Sequence, residues 1–139
     1  MSREEGRDWI RSGTLAHQIL LIEDDPDQAA VIKELLESSG YRVQLAKDGG
    51  QAQAMFVMWK PDLVLLDVIL PGESGFEVCE RFKKTDRNVP VVFLSAIDMK
   101  EARALCDRVG GDAFITKPYE PAALLEKIVE VTEAARGAT

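Results

Sequence analysis

Short apolar runs that end on polar side chains recur along this chain, and stretches with helical spacing separate them. His17-Gln18-Ile19-Leu20-Leu21-Ile22 stops at Glu23-Asp24-Asp25-Pro26. Its apolar part lacks clean alternation, which suits a strand covered on both faces. Pro26 fits the first turn of a helix, with Asp25 as the cap before it. That helix should bury Ala29, Ile32, Leu35 and Leu36, run to about Ser38 and end at Gly40. Tyr41 to Ala46 alternates, as a strand nearer a sheet edge does. A second helix after Gly49-Gly50 should bury Ala52, Met55, Phe56 and Trp59 and stop at Lys60-Pro61.

The same alternation of elements continues. Asp62 to Leu66 reads as a central strand that ends on Asp67. The loop Val68 to Gly75 is too rich in turn residues to continue it. A helix over about 75–84 should turn Phe76, Cys79 and Phe82 inward. Val89 to Leu94 leads to Ser95, and a helix over about 98–109 should turn Ala102, Leu105, Cys106 and Val109 inward. Asp112 to Thr116 is a last strand leading to Lys117-Pro118, and a final helix over about 120–134 buries Leu124, Leu125, Ile128 and Val129. Five strands alternating with five helices through short connections require right-handed crossovers. The sheet is then parallel, with helices on both faces.

These elements predict one domain over 18–134. Residues 1–17 are polar, charged and aperiodic and read as a flexible tail, in which Trp9 and Ile10 could dock on the domain or on a partner. Residues 135–139 should fray. The 139-residue length suits a single core, and 46% hydrophobic with 29% charged residues is ordinary for a soluble domain. A formal net charge of -7 argues against a general nucleic-acid or anionic-membrane surface. The amino end has no apolar run of signal-peptide length, and no segment approaches the roughly 20 apolar residues of a membrane span. The expectation is a cytoplasmic protein without membrane insertion or direct nucleic-acid binding. Cys79 and Cys106 lie on apolar helical stripes without a CxxC pattern, so both read as reduced core residues.

The chemistry-bearing residues follow the apolar runs: Asp24 and Asp25, then Asp67, Ser95 and Lys117. In an open α/β sheet the carboxyl ends of the strands line the ligand crevice, so these positions converge. An acid after a strand can equally be a helix cap or a solvated loop group. Capping suits Asp25 without excluding ligation. Three convergent carboxylates repel, and a hard divalent cation relieves the repulsion. Oxygen ligands favour Mg²⁺ or Mn²⁺, and no Cys or His cluster is present for zinc. A cation there could bridge Asp67 to a phosphoryl oxygen, with Lys117 and the Ser95 hydroxyl on the others. Phosphoryl transfer needs such positioning and charge neutralisation.

Asp24-Asp25 after a strand, DVILPGESG at 67–75, Ser95-Ala96 and TKPY at 116–119 together resemble the CheY-like receiver domain of two-component response regulators. Each motif alone is weak; their order and spacing within a βα pattern make the likeness specific over about 18–134. The resemblance implies a (βα)5 doubly wound, flavodoxin-like sheet of strand order 2-1-3-4-5. It implies that Asp67 is the phosphoacceptor, that Asp25 is a direct Mg²⁺ ligand, that Asp24 acts mostly through water and that the Ile69 carbonyl is a further ligand. Ser95 and Lys117 would engage the phosphoryl group, Phe114 would be the switch aromatic beside Ser95, and the Lys117–Pro118 peptide would be cis. Ala96 leaves room above the site. The implied function is a signalling switch that takes its phosphoryl group from a histidine kinase or histidine phosphotransfer protein. It catalyses only its own phosphorylation and dephosphorylation.

The same resemblance implies a homodimer or effector contact through the fourth helix, fifth strand and fifth helix. Lys100, Arg103 and Arg108 could contribute to that face, or could be ordinary solvated charges. Ile69 and Ile97, two residues beyond Asp67 and Ser95, would screen the acyl phosphate and slow its hydrolysis. A haloacid-dehalogenase-like phosphatase resembles DxDx[TV], whereas DVILP has Ile69 in place of the second acid. A phosphorylation-independent pseudo-receiver usually lacks one of the acids or the lysine, all of which are present. The chain reads either as a single-domain regulator or as the receiver of a longer protein.

Overall fold

The computed structural model describes residues 18–97 and 99–137. The expected tail with Trp9 and Ile10, and residues 138–139, lie outside the described residues. The element order is β1 (Gln18–Ile22), α1 (Pro26–Ser38), β2 (Arg42–Ala46), α2 (Gly49–Trp59), β3 (Leu63–Asp67), β4 (Ile69–Leu70), β5 (Glu73–Ser74), α3 (Gly75–Thr85), β6 (Val91–Ser95), α4 (Lys100–Arg108), β7 (Ala113–Thr116) and α5 (Pro121–Gly137). The main sheet has the order β2-β1-β3-β6-β7, with every pair parallel. Counted along its own five strands this is 2-1-3-4-5, the order expected.

The apolar runs lack alternation because both faces of the sheet are covered. Leu20, Ile22, Val64, Leu66, Val91 and Phe93 pack on one side with Phe56, Phe82 and Cys106 from α2, α3 and α4. Ile19, Leu21, Leu63, Leu65, Val92 and Leu94 pack on the other with Ile32 and Leu36 of α1 and Leu124 and Ile128 of α5. Phe56 and Phe82 stack at 4.3 Å between centroids, 8° from parallel, and join α2 to α3. Edge strand β2 does alternate, with Arg42 and Gln44 exposed and Val43 and Ala46 buried.

Helix ends follow local chemistry. Asp48 caps α2 by accepting from the Gln51 N–H at 2.8 Å, and Lys60 closes it in the left-handed region at φ 52°. Ser74 caps α3 through the Glu77 N–H.

Three features depart from expectation. The turn-rich loop after Asp67 contains a small antiparallel hairpin, β4–β5, closed at Pro71-Gly72 with Gly72 at φ 76°. Helix α4 is shorter than 98–109, and Leu105, expected inward, is 38% exposed. Ala102 and Cys106, one turn apart, already fill the inward stripe of so short a helix, which leaves Leu105 on its rim. Helix α5 continues to Gly137, past the expected end at 134. Among the described residues, no helix is long and apolar enough to cross a membrane.

Candidate functional site

The register of the sheet decides which acids meet. Ile22 of β1 pairs with Leu66 of β3, so the next residues along each strand, Glu23 and Asp67, end up side by side. The Glu23 N–H still bonds to the Ala46 carbonyl at 3.1 Å, which extends the β1–β2 ladder by one residue. Glu23 is 3% exposed and Asp67 9%. Glu23, Asp24 and Asp67 each present a carboxylate oxygen, and these atoms lie within 4.8 Å of one another. Asp24 is the exposed member of this group, so the acids form an open-mouthed cluster rather than a sealed one.

Lys117, immediately after β7, reaches into the cluster. Its Nζ donates to Glu23 Oε1 at 2.8 Å, to Gln28 Oε1 at 2.7 Å and to Asp67 Oδ2 at 3.2 Å. The other Asp67 oxygen, Oδ1, accepts from the Ile69 N–H at 3.0 Å. The Asp67 carboxylate is thus held on one side by an ammonium and on the other by the β4 backbone. Burial, opposed by the hydrogen bond from Lys117 and reinforced by the Asp67 carboxylate, pushes the Glu23 carboxyl up to about 7. Burial works against the charged Lys117, but its hydrogen bond to Glu23 and the negative charges of Asp67 and Glu23 raise its pKa above the ordinary value.

Asp25 is placed elsewhere. Its Oδ1 accepts from the Asp27 and Gln28 N–H groups at 2.9 and 3.3 Å, and its Oδ2 accepts from the Gln28 side-chain amide. It caps α1, and the acid that joins Asp24 and Asp67 is Glu23. The sequence carries a signal for this. Ile19–Ile22 and Leu63–Leu66 are apolar runs of equal length, and Glu23 and Asp67 are the first residues after each. Asp25 follows two residues later, directly before Pro26, where a cap is needed.

Ser95 is fully buried at the end of β6, and its Oγ accepts from the Ile97 N–H at 3.0 Å. Ser95 pairs with Thr116, and the Lys117 N–H bonds to the Ser95 carbonyl at 2.8 Å. The ends of β6 and β7 are therefore joined through the backbone right up to Lys117. The Lys117–Pro118 peptide is cis. Phe114 is half-buried on β7 under Arg103 of α4, whose guanidinium lies 4.9 Å from the ring centroid and donates to Thr116 Oγ1 at 3.1 Å. Arg103, read from sequence as a surface charge, is thus engaged within the domain. A cavity of about 270 Å³ opens here, lined by Arg103, Cys106, Asp107, Asp112 and Phe114. Cys79 and Cys106 are buried, and burial pushes their thiols up to about 12 and about 11, which leaves them as unreactive core residues.

The donor set fits a hard divalent cation. It consists of carboxylate oxygens, with no His or Cys among them, and the acids are close enough to repel unless a positive charge is shared. Glu23, Asp24 and Asp67 form a Mg²⁺-coordinating cluster, and Lys117 neutralises part of it from the other side.

Comparison with known proteins agrees with this geometry. Residues 19–129 match the family model described as response regulator receiver domain. The chain is 36% identical over 113 residues to the DNA-binding dual master transcriptional regulator RpaA of Synechocystis sp. (strain ATCC 27184 / PCC 6803 / Kazusa), a match covering 80% of this chain and 47% of that protein. It is 35% identical over 115 residues to the DNA-binding response regulator MtrA of Mycolicibacterium smegmatis (strain ATCC 700084 / mc(2)155), covering 83% and 50%. The chain thus spans about half the length of the curated relatives it matches. Among solved structures it is similar to a CheY-like response regulator receiver domain protein from Methanospirillum hungatei JF-1, with a TM-score of 0.84, 29% identity and coverage of 88% of this chain and 98% of that one. A two-component response regulator from Clostridium difficile superposes with a TM-score of 0.81 at 26% identity, over 84% and 96% of the two chains. The family match spans both sheet faces and every residue of the acidic cluster, and on it this chain belongs to the response regulator receiver domain family.

Proposed function

We propose that Asp67 is the residue that accepts the phosphoryl group in this Asp-phosphorylation signalling switch. The observation that carries the reading is the double hold on its carboxylate, Lys117 on Oδ2 and the Ile69 N–H on Oδ1, beside two further acids. A carboxylate oxygen of Asp67 forms the new O–P bond as the P–N bond of a partner's phosphohistidine breaks. The departing imidazole nitrogen keeps the electron pair and takes up a proton. Asp24, Asp67 and Glu23, the last directly or through water, would hold Mg²⁺, with the Ile69 carbonyl as a further ligand. Mg²⁺ supplies charge neutralisation on the phosphoryl oxygens. Lys117 contributes a second positive charge. The phosphoryl donor is a histidine kinase or histidine phosphotransfer protein, and the chemistry of the domain is limited to gaining and losing its own phosphoryl group.

Phosphorylation adds charge that competes for Lys117 and attracts the Ser95 hydroxyl. Movement of Ser95 or Lys117 would be felt by Thr116 and Phe114, and through Arg103 by α4. The face of α4, β7 and α5 is therefore the proposed output surface, for an effector or a second copy. Incubation with acetyl phosphate tests the reading. The chain should gain the mass of one phosphoryl group in Mg²⁺ and none in EDTA; equal labelling in both, or none in either, would refute it.

A further inference from the structure

The hairpin after Asp67 is fastened at its far strand. Glu73 of β5 pairs with Leu70 of β4, and its carboxylate extends away from the hairpin to the start of α2. A Cβ on Gly49, the first residue of α2, would fall on Glu73 Oε1 and lie 2.9 Å from Arg81 Nη2. The same Arg81 nitrogen, from α3, lies 3.1 Å from both Glu73 oxygens. The Glu73 carboxylate is thus seated between the N-terminus of α2, where the helix dipole favours an anion, and a guanidinium. A side chain at 49 would force the carboxylate out of this position. The seat is partly enclosed, with the Glu73 side chain 21% exposed.

We infer that Glu73, Arg81 and Gly49 form a clasp that positions the β4–β5 hairpin and, through it, the Asp67 carboxylate. The hairpin carries the Ile69 N–H that holds Asp67 Oδ1, and Ile69 pairs with Ser74, the residue next to Glu73. A hairpin of two residues per strand has little stability of its own, so an outside anchor decides how firmly it is held. Glu73 and Arg81 are positioning residues: they hold the backbone that aims Asp67. The consequence for metal binding rests on the reading of Asp67 and the Ile69 carbonyl as Mg²⁺ ligands, whereas the clasp itself does not.

Amide hydrogen exchange of the metal-free protein separates the two. In Glu73→Ala and in Arg81→Ala, exchange at Ile69 should accelerate roughly tenfold, with exchange at Leu65 of β3 unchanged. Gly49→Ala, which displaces the carboxylate, should do the same. The double variant Glu73→Ala/Arg81→Ala should be no faster at Ile69 than either single one, because both break one contact. Exchange at Ile69 within twofold of wild type, or a matching rise at Leu65, would overturn the clasp. A Mg²⁺ titration should in addition show roughly tenfold weaker binding in the single variants, the size typical of lost groups that orient metal ligands. Wild-type protein that binds no Mg²⁺ would count against the reading of the site, while the exchange data would still judge the clasp.

Discussion

Lys117 Nζ lies 2.8 Å from Glu23 Oε1 although 94 positions separate the two residues. The pair closes the buried side of the acidic cluster. Burial nevertheless outweighs the lysine, so the Glu23 carboxyl rises from its ordinary 4.5 to about 7. Between those values the folded metal-free protein holds a proton that the unfolded chain has lost. The contribution of Glu23 to stability is therefore greatest below about pH 4.5 and declines until about pH 7. The raised Lys117 pKa acts only at alkaline pH, outside this window. In EDTA, the urea midpoint of wild type should fall from pH 5 to pH 7.5 relative to that of Glu23→Gln. Apparent Mg²⁺ affinity should rise over the same interval, because a cation must displace that proton. Parallel stability curves for the two proteins would show that Glu23 does not titrate there.

Asp24 and Asp25 are neighbours with separate tasks, which substitution should resolve. Asp25→Ala removes the oxygen that accepts from the Asp27 and Gln28 N–H groups. It should cost about 1 kcal/mol of stability, as lost caps do, and leave Mg²⁺ affinity within about twofold. Asp24→Asn should do the reverse, weakening Mg²⁺ at least roughly tenfold with little change in the urea midpoint. Loss of Mg²⁺ binding in Asp25→Ala at unchanged affinity in Asp24→Asn would restore Asp25 as the ligand.

The sheet was legible because its strands are covered on both faces, so apolar runs such as Leu63–Leu66 report burial directly. Strand ends were legible for Asp67, Ser95 and Lys117, where each polar residue follows its run. The amino-terminal acids were harder. Three consecutive carboxylates, Glu23, Asp24 and Asp25, offer two adjacent pairs, and pair choice depends on the β1–β3 register, a long-range property. The β4–β5 hairpin was hidden by its own shortness, since two-residue strands have no periodicity to detect. The sequence leaves Arg103 open between a contact face and a solvated charge, because Phe114 and Thr116 lie on a strand that only the tertiary fold brings beside α4.

Gly75 packs directly against the backbone behind Asp67. A Cβ there would meet the Asp67 carbonyl oxygen and come within 3.0 Å of Val68 Cα, both backbone atoms that cannot swing aside. The Gly75 N–H also bonds to the Val68 carbonyl at 2.6 Å. Gly75→Ala should destabilise by about 1–3 kcal/mol, the usual range for overpacking, and slow phosphorylation by acetyl phosphate. Wild-type stability together with a wild-type labelling rate would mean that this close approach is not needed.

Ile69 is 55% exposed beside Asp67, and Ile97 is half-buried with its N–H on Ser95 Oγ. Neither side chain can orient a water for attack on an acyl phosphate. The phosphorylated protein should therefore be long-lived, and Ile97→Glu, which adds a group able to accept a proton, should shorten its lifetime roughly tenfold or more. Timing phosphate loss after donor removal checks this; equal lifetimes would contradict it.

The central claim concerns where the phosphoryl group goes. Mass spectrometry of the acetyl-phosphate-labelled protein, set beside Asp67→Asn and Asp25→Asn treated alike, tests it most directly. The account predicts one phosphoryl group on wild type and on Asp25→Asn, and none on Asp67→Asn. Undiminished labelling of Asp67→Asn would contradict it.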